Sequence, residues 1–177
     1  MLALNIYDDL KLRLGTPDDM RQVMDLAIAA AKENGLVNAS HVLLAKTVWP
    51  ALCQDHGLVG CISKKGSSEI EGMIVLNVGT LFYSNEPCLE EKVVFVKPEY
   101  RSARGGRARK LCEFSKSAAD GLGLPLIIGV FSSVETQAKI GLYKRIFGEP
   151  AGLYFLYGGK TGGHEVRDDS NIREVRS

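Results

Sequence analysis

The sequence lacks the features that mark several large classes of protein. Its four cysteines form no Cys-x-x-Cys pair, and a chain of 177 residues can build a core without disulfides. We therefore expect free thiols, and we predict no metal site because no second ligand pair completes a zinc centre. No apolar run approaches the ~20 residues that span a bilayer, and acids stand near the N-terminus where a signal peptide carries bases. These absences predict a cytoplasmic protein with no membrane partner.

An excess of charge of one sign is also missing. The chain carries 22 basic and 21 acidic residues, a net charge of +1, so the whole molecule does not attract polyanions. No linker and no internal repeat interrupts it, which predicts a single domain over residues 1–158. Residues 159–177 are polar without an apolar period, and we expect a tail or a peripheral extension there.

The apolar periods that are present predict an α/β (mixed α+β) chain in the order β-α-α-β-β-β-α-β-α-β. The predicted strands are residues 10–15, 58–65, 69–78, 89–97, 124–131 and 151–158. The predicted helices are residues 16–35, 38–57, from Arg101 or Ser102 to about 123, and 134–148, with Pro50 breaking or kinking the second. This order indicates a central mixed, mostly antiparallel twisted sheet of six to seven strands, with helices on both faces.

Positive charge is concentrated directly after the predicted strand at 89–97. Two adjacent glycines, Gly105 and Gly106, sit among five cations: Arg101, Arg104, Arg107, Arg109 and Lys110. A strand that leads through glycines into a helix is suited to an anion, because the first helical N–H groups lack partners and the dipole is positive there. Cations at that end oppose the dipole, so a bound diphosphate-like or triphosphate-like group is the economical offset. For Arg109 and Lys110 a solvated helix face is an equal alternative.

Two segments resemble motifs of the GNAT superfamily of N-acetyltransferases. The run from Val96-Lys97-Pro98-Glu99-Tyr100-Arg101 through Gly106-Arg107-Ala108 resembles the family's acetyl-CoA-binding motif, Q/R-x-x-G-x-G/A, with Arg104 where the first glycine is expected. Residues 138–148 resemble the second motif, A-x-x-x-Y-x-K-x-G-F, with the final pair inverted as Phe147-Gly148. The Walker and dinucleotide-binding patterns are absent.

The resemblance implies an enzyme that moves an acetyl group from acetyl-CoA to a primary amine by direct attack in a ternary complex. The acceptor stays open among a small molecule, a peptide and a modified base, and a homodimer stays open as well. One alternative is a protein of this fold that binds CoA without catalysis, as a sensor or assembly component. Another is a nucleic-acid-binding module, against which the balanced charge and the lack of interleaved stacking aromatics argue.

The resemblance also implies roles for individual residues. Tyr143 matches the family tyrosine and is the candidate acid that protonates the departing thiolate; packing alone is its structural alternative. Glu91 is preferred over Glu90 as the base, and strand alternation places it on one face with Val93 and Phe95. Both carboxylates are alternatively solvated charges at a strand start. The implied cofactor-binding residues are Val94, Phe95, Val96, Arg101, Arg104, Gly105, Gly106, Arg107 and Ala108.

Overall fold

A five-stranded mixed sheet with helices on both faces forms the part of the chain that the structure describes. The structure is a computed structural model, and it describes residues 9–35, 39–102, 106–130, 136–153 and 155. The elements are β1 (Leu10–Leu14), α1 (Met20–Asn34), α2 (His41–Leu52), β2 (Gly57–Lys64), β3 (Gly72–Thr80), β4 (Pro87–Val96), α3 (Gly106–Leu122), β5 (Leu126–Ile127) and α4 (Thr136–Phe147). Short 3-10 turns at Pro17–Asp19 and Pro98–Tyr100 precede α1 and α3.

The strands lie in the order β1-β2-β3-β4-β5. The first four form an antiparallel meander, and β5 joins β4 in parallel through only two pairs, Leu89 with Leu126 and Glu90 with Ile127. The hairpin predicted around residues 66–68 is present, because two apolar runs separated by a short glycine turn favour antiparallel pairing.

Each face of the sheet carries its own apolar core. On one face α1 and α2 pack against β2, β3 and β4 through a cluster that includes Val23, Leu52, Met73 and Phe95. On the other face α3 packs through a cluster that includes Ile62, Ile74, Leu76, Leu89, Val96 and Leu111. The expected arrangement of helices on both faces of a mixed sheet is therefore confirmed.

Three boundaries differ from the sequence prediction. The structure shows five strands where six to seven were expected; of the predicted strand at 151–158, residues 151–153 and 155 are not in a strand and the rest lie outside the described residues. Helix α3 begins at Gly106 rather than near Arg101, because Arg101 is extended, with φ −73° and ψ 140°, after the Pro98–Tyr100 turn. Helix α2 runs two residues past Pro50, which occupies its last turn, and β2 already begins at Gly57.

A β-bulge in β4 changes which way its side chains face. Val75 of β3 pairs with Val93, but the next residue, Leu76, pairs with Glu91, so Lys92 is left without a partner on β3. Leu76 belongs to the α3 core, and Glu91 therefore lies on the α3 face. The prediction that Glu91 shares a face with Val93 and Phe95 is wrong, because the extra residue breaks the two-residue period.

Candidate active site

A cleft of about 1420 Å³ opens where β4 and β5 separate. Within the described residues, pairing between the two strands stops at Glu90 and Ile127, while β4 continues to Val96. The cleft is lined by residues 91–96 of β4 and by the last turn of α1, the first turn of α3 and the inner side of α4. Its walls therefore bring together both segments that carry the sequence motifs.

Glu91 lies at the base of this cleft and connects the two separated strands. Its Oε2 atom accepts a hydrogen bond from the Gly129 N–H at 3.3 Å, just beyond β5, and its carboxylate also accepts from the Val94 N–H of β4. Burial raises the pKa of Glu91 to about 7, although those hydrogen bonds and the nearby Lys139 and Lys92 ammonium groups act to lower it. A carboxylate with this pKa exchanges protons readily at neutral pH.

Glu90 has a different environment from its neighbour. It pairs across the sheet with Asn77, whose amide donates to the backbone of α2 at Thr47, and it forms an ion pair with Lys92. Glu90 is not among the residues that line the cleft, whereas Glu91 is. Of the two carboxylates compared from the sequence, Glu91 is the one that reaches the cleft.

Tyr143 lines the cleft from α4, near Glu91 of β4 and Cys112 of α3. Its ring packs edge-on against Phe147, with 5.6 Å between the ring centroids. Burial, followed by the neighbouring Glu91 and Cys112, raises the pKa of Tyr143 above its usual value. The phenol carries its proton at neutral pH, as an unperturbed tyrosine also does, and the raised pKa makes it a weaker acid than a free phenol.

Arg107, in the first turn of α3, is held by two groups of the protein. Its Nε atom donates to the carboxylate of Glu71 at 2.6 Å, and its Nη1 atom donates to the Tyr100 carbonyl at 3.2 Å. The guanidinium also lies over the Tyr100 ring, 5.1 Å from its centroid. Glu71 is only 3% exposed, so this pair fixes one edge of the guanidinium while Arg107 still lines the cleft.

Arg101 is held in a similar way on the α1 side of the cleft. Its Nε atom donates to the Val96 carbonyl at 2.8 Å, and its Nη2 atom donates to Glu33 of α1 at 2.6 Å. The guanidinium lies over the Phe95 ring at 5.2 Å. The first motif arginine is thus anchored to the end of β4 and to the last turn of α1.

From the sequence, a bound anion was expected to offset the positive charge at the start of α3. In the structure, carboxylates of the protein offset part of that charge. Of the four cations that the structure describes, three pair with carboxylates: Arg101 with Glu33, Arg107 with Glu71 and Arg109 with Glu113. Sequence analysis missed Glu33 and Glu71, because they stand 68 and 36 residues away from their arginines and belong to no motif. Only Glu113 carried a local signal, the i,i+4 spacing on a helix.

The structure brings most of the predicted site residues into one place. Those that line the cleft are Glu91, Val94, Phe95, Val96, Arg101, Arg107, Ala108 and Tyr143. Gly106 is the buried first residue of α3. Arg104 and Gly105 lie outside the described residues.

The described residues contain neither a membrane-spanning helix nor a cluster of metal ligands. No helix in the described ranges combines the length and apolar character needed to cross a bilayer. Across those same residues, no three histidine, cysteine or acidic side chains converge as metal ligands would.

Comparison with known proteins gives matches in structure only. No protein-family model matches the sequence. No curated protein matches it either. The aminoglycoside N-acetyltransferase AAC(6')-Iy, solved with a bisubstrate analogue, is 13% identical over 84% of this chain and 96% of its own, with a TM-score of 0.63.

Two other solved structures resemble this chain to a similar degree over a similar share of its length. An integron cassette protein from the mobile metagenome of Cole Harbour Salt Marsh is 20% identical over 89% of this chain and 93% of its own, with a TM-score of 0.62. The ribosomal-protein-alanine N-acetyltransferase from Brucella melitensis biovar Abortus 2308 is 13% identical over 84% of this chain and 97% of its own, with a TM-score of 0.61. The chain therefore has the fold of the GNAT N-acetyltransferases.

Proposed function

We propose that this chain is an acetyl-CoA-dependent N-acetyltransferase that acts on a primary amine. The observation that carries the proposal is the cleft between β4 and β5, in which Glu91, Tyr143 and the arginine-bearing turn before α3 face one space. The shared fold supports it, since the neighbour AAC(6')-Iy was solved with CoA and with a CoA-based bisubstrate analogue.

The residues of the cleft fit an extended cofactor that carries a diphosphate along its length. A volume of about 1420 Å³ exceeds the ~300–1,000 Å³ of an ordinary small-molecule pocket. Val94, Phe95 and Val96 line it along the unpaired side of β4, where backbone groups can bind the pantetheine arm. Arg107, Ala108 and the preceding residues Arg104, Gly105 and Gly106 would hold the diphosphate at the start of α3, together with Arg101.

The proposed chemistry uses two side chains at the base of the cleft. Acetyl-CoA supplies the acyl group as a thioester whose sulfur is the leaving atom. The acceptor amine, with a pKa near ~10, must lose a proton before it attacks, and Glu91 accepts that proton directly or through water. As the nitrogen–carbon bond forms and the carbon–sulfur bond breaks, Tyr143 gives its proton to the departing sulfur. Glu91 and Tyr143 then exchange these protons with solvent.

The test is release of free thiol from acetyl-CoA in the presence of a panel of amines. The panel should contain a neamine-type aminoglycoside and a peptide that begins with alanine, because structural neighbours are described with such acceptors. A lysine-containing peptide and a polyamine extend it to other amine classes. Amine-dependent thiol release with wild type, and its loss in Tyr143→Phe, would support the assignment.

Calorimetry with CoA separates the enzyme from the alternative role. If CoA binds and stabilises the protein but no amine of the panel releases thiol, a CoA-binding sensor or assembly component becomes the better description. If CoA does not bind at all, both descriptions fail.

A further inference from the structure

The carboxylate of Glu33 bridges two cations that come from opposite walls of the cleft. Its Oε2 atom lies 2.6 Å from Nη2 of Arg101, which follows β4, and its Oε1 atom lies 3.8 Å from Nζ of Lys139, on α4. All three side chains line the cleft, and 19% of Glu33, 22% of Arg101 and 32% of Lys139 is exposed. An internal anion thus lies between two cations within the proposed cofactor site.

Each member of this group is held in place by a different element. Glu33 belongs to the last turn of α1, which ends at Gly35 with φ 59°. Arg101 is fixed independently by the Val96 carbonyl and by the Phe95 ring. Arg101 is therefore positioned by more than Glu33 and would keep its place if the carboxylate moved away.

A phosphate group satisfies the same two cations better than a carboxylate does. Like a carboxylate it presents two oxygens at once, and arginine binds either group through paired N–H donors. A diphosphate also carries more negative charge than the single unit on Glu33. Charge pairs are stronger in a partly desolvated cleft than in water, which favours the more highly charged ligand.

We infer, on the basis of the proposed function, that Arg101 and Lys139 form a subsite for the cofactor's diphosphate, which Glu33 occupies until the cofactor displaces it. Glu33 therefore competes with the cofactor and lowers its affinity. Lys139 joins the cofactor-binding residues from the opposite wall, so that the bound diphosphate holds the two sides of the cleft together. Glu71 is the contrasting case, because its buried pair with Arg107 positions that arginine and does not compete with the ligand.

The experiment measures CoA affinity of Glu33→Gln, which keeps the shape of the side chain and removes its charge. We expect CoA to bind about threefold to tenfold more tightly than to wild type, the range that follows from removing one partly exposed competing charge. Pantetheine, which lacks phosphates, should bind both proteins equally. Glu113→Gln is the matched control, because Glu113 pairs with Arg109 on an exposed helix face away from the cleft, and its CoA affinity should equal wild type.

A second variant tests the subsite from the other wall. Lys139→Met should weaken CoA binding about threefold to tenfold and leave pantetheine binding unchanged. Thermal melting of each variant without ligand checks that the fold is retained. Unchanged or weaker CoA binding in Glu33→Gln, or unchanged binding in Lys139→Met, would overturn this inference while leaving the proposed function in place. A wild-type protein that binds no CoA would overturn both.

Discussion

The Nε atom of Arg107 lies 2.6 Å from the carboxylate of Glu71, which is 3% exposed immediately before β3. This contact ties the start of β3 to the first turn of α3, across 36 residues of sequence. A charge pair of this kind gains little over an apolar pair, but it is costly to break, because the remaining charge loses its partner. The pair therefore fixes the geometry of the turn in which the cofactor's diphosphate is proposed to bind.

Glu71→Gln should destabilise the protein and weaken CoA binding together. We expect the free energy of unfolding to fall by roughly 1–3 kcal/mol, less than for a fully buried pair because 21% of the Arg107 side chain is exposed. Denaturant titration measures this change. Glu113→Gln, which breaks the exposed pair with Arg109, should change stability by less than about 0.5 kcal/mol. Equal losses in both variants would contradict a special role for the buried pair.

Tyr143→Phe should lower the rate of acetyl transfer by roughly tenfold to a thousandfold. A phenol is an inefficient proton donor to a thiolate, so we expect its effect to lie at or below the usual contribution of an acid–base group, about 10²-fold to 10⁴-fold. The ring contact with Phe147 survives the change, so stability and CoA affinity should stay close to wild type. Steady-state thiol release, analysed as kcat and KM separately, measures the effect. A rate equal to wild type would leave Tyr143 as a packing residue.

The rate should also depend on pH through Glu91. Burial raises the pKa of Glu91 to about 7, so the base is protonated below that pH and free above it. We expect kcat/KM to rise with pH through an inflection near 7 and then to level off, with this limb absent in Glu91→Gln. Glu90→Gln is the control, because Glu90 lies on the other face of β4. Loss of the limb in Glu90→Gln alone would transfer the role of base to Glu90.

Stability should show the opposite trend with pH. The folded-state pKa of Glu91, about 7, lies above the ordinary value of 4.5, so the folded state binds more protons between these two pH values. The contribution of Glu91 to stability therefore falls as pH rises from about 4.5 to about 7. Denaturant titrations at pH 5 and pH 8 should show Glu91→Gln gaining roughly 1–3 kcal/mol relative to wild type at the higher pH. A constant difference at both pH values would contradict the raised pKa.

The four cysteines should react very unequally with a thiol reagent. Cys53 is exposed at the end of α2, whereas Cys61, Cys88 and Cys112 are buried. Burial raises the pKa of both Cys61 and Cys112 to about 12, which suppresses their thiolate forms. With a chromogenic thiol reagent, one thiol per chain should therefore react rapidly in the native protein, and four should react in the denatured protein. Rapid reaction that persists in Cys53→Ser would show that a buried cysteine becomes accessible.

Local patterns predicted the fold well where an element has one apolar face or a marked turn. The hairpin of β2 and β3 follows from two apolar runs on either side of the turn at Gly66, and α1 follows from helical spacing that ends at Gly35. Alternation failed in β4, because apolar residues lie on both of its faces and a single inserted residue leaves no mark on such a run. The start of α3 failed for a related reason, since residues 101–108 mix arginines with small residues and carry no apolar period to show where a helix begins.

The residues of the candidate site also fall into two groups, those that a sequence pattern identified and those that it missed. Tyr143, Glu91 and Arg101 belong to motifs or to strand ends, and sequence patterns found them. Glu33 and Glu71 contact their arginines only in the folded protein, because each arginine lies far away along the chain. Pairwise charge contacts at such separations depend on the packing of whole helices and strands, which no local pattern specifies.

The β-bulge at Lys92 divides β4 into two parts with different surroundings. Downstream of it, residues 93–96 line the part of the cleft proposed for the pantetheine arm, while upstream Glu90 and its neighbours pair with the far end of β3. The extra residue lets Glu91 face the α3 side of the sheet while Val93 faces the α1 side, although the two lie only two positions apart in sequence. Deleting Lys92 would remove the bulge and leave Glu91 opposite Leu76, on the same face of the sheet as before, so the regular strand would keep the carboxylate on the α3 side.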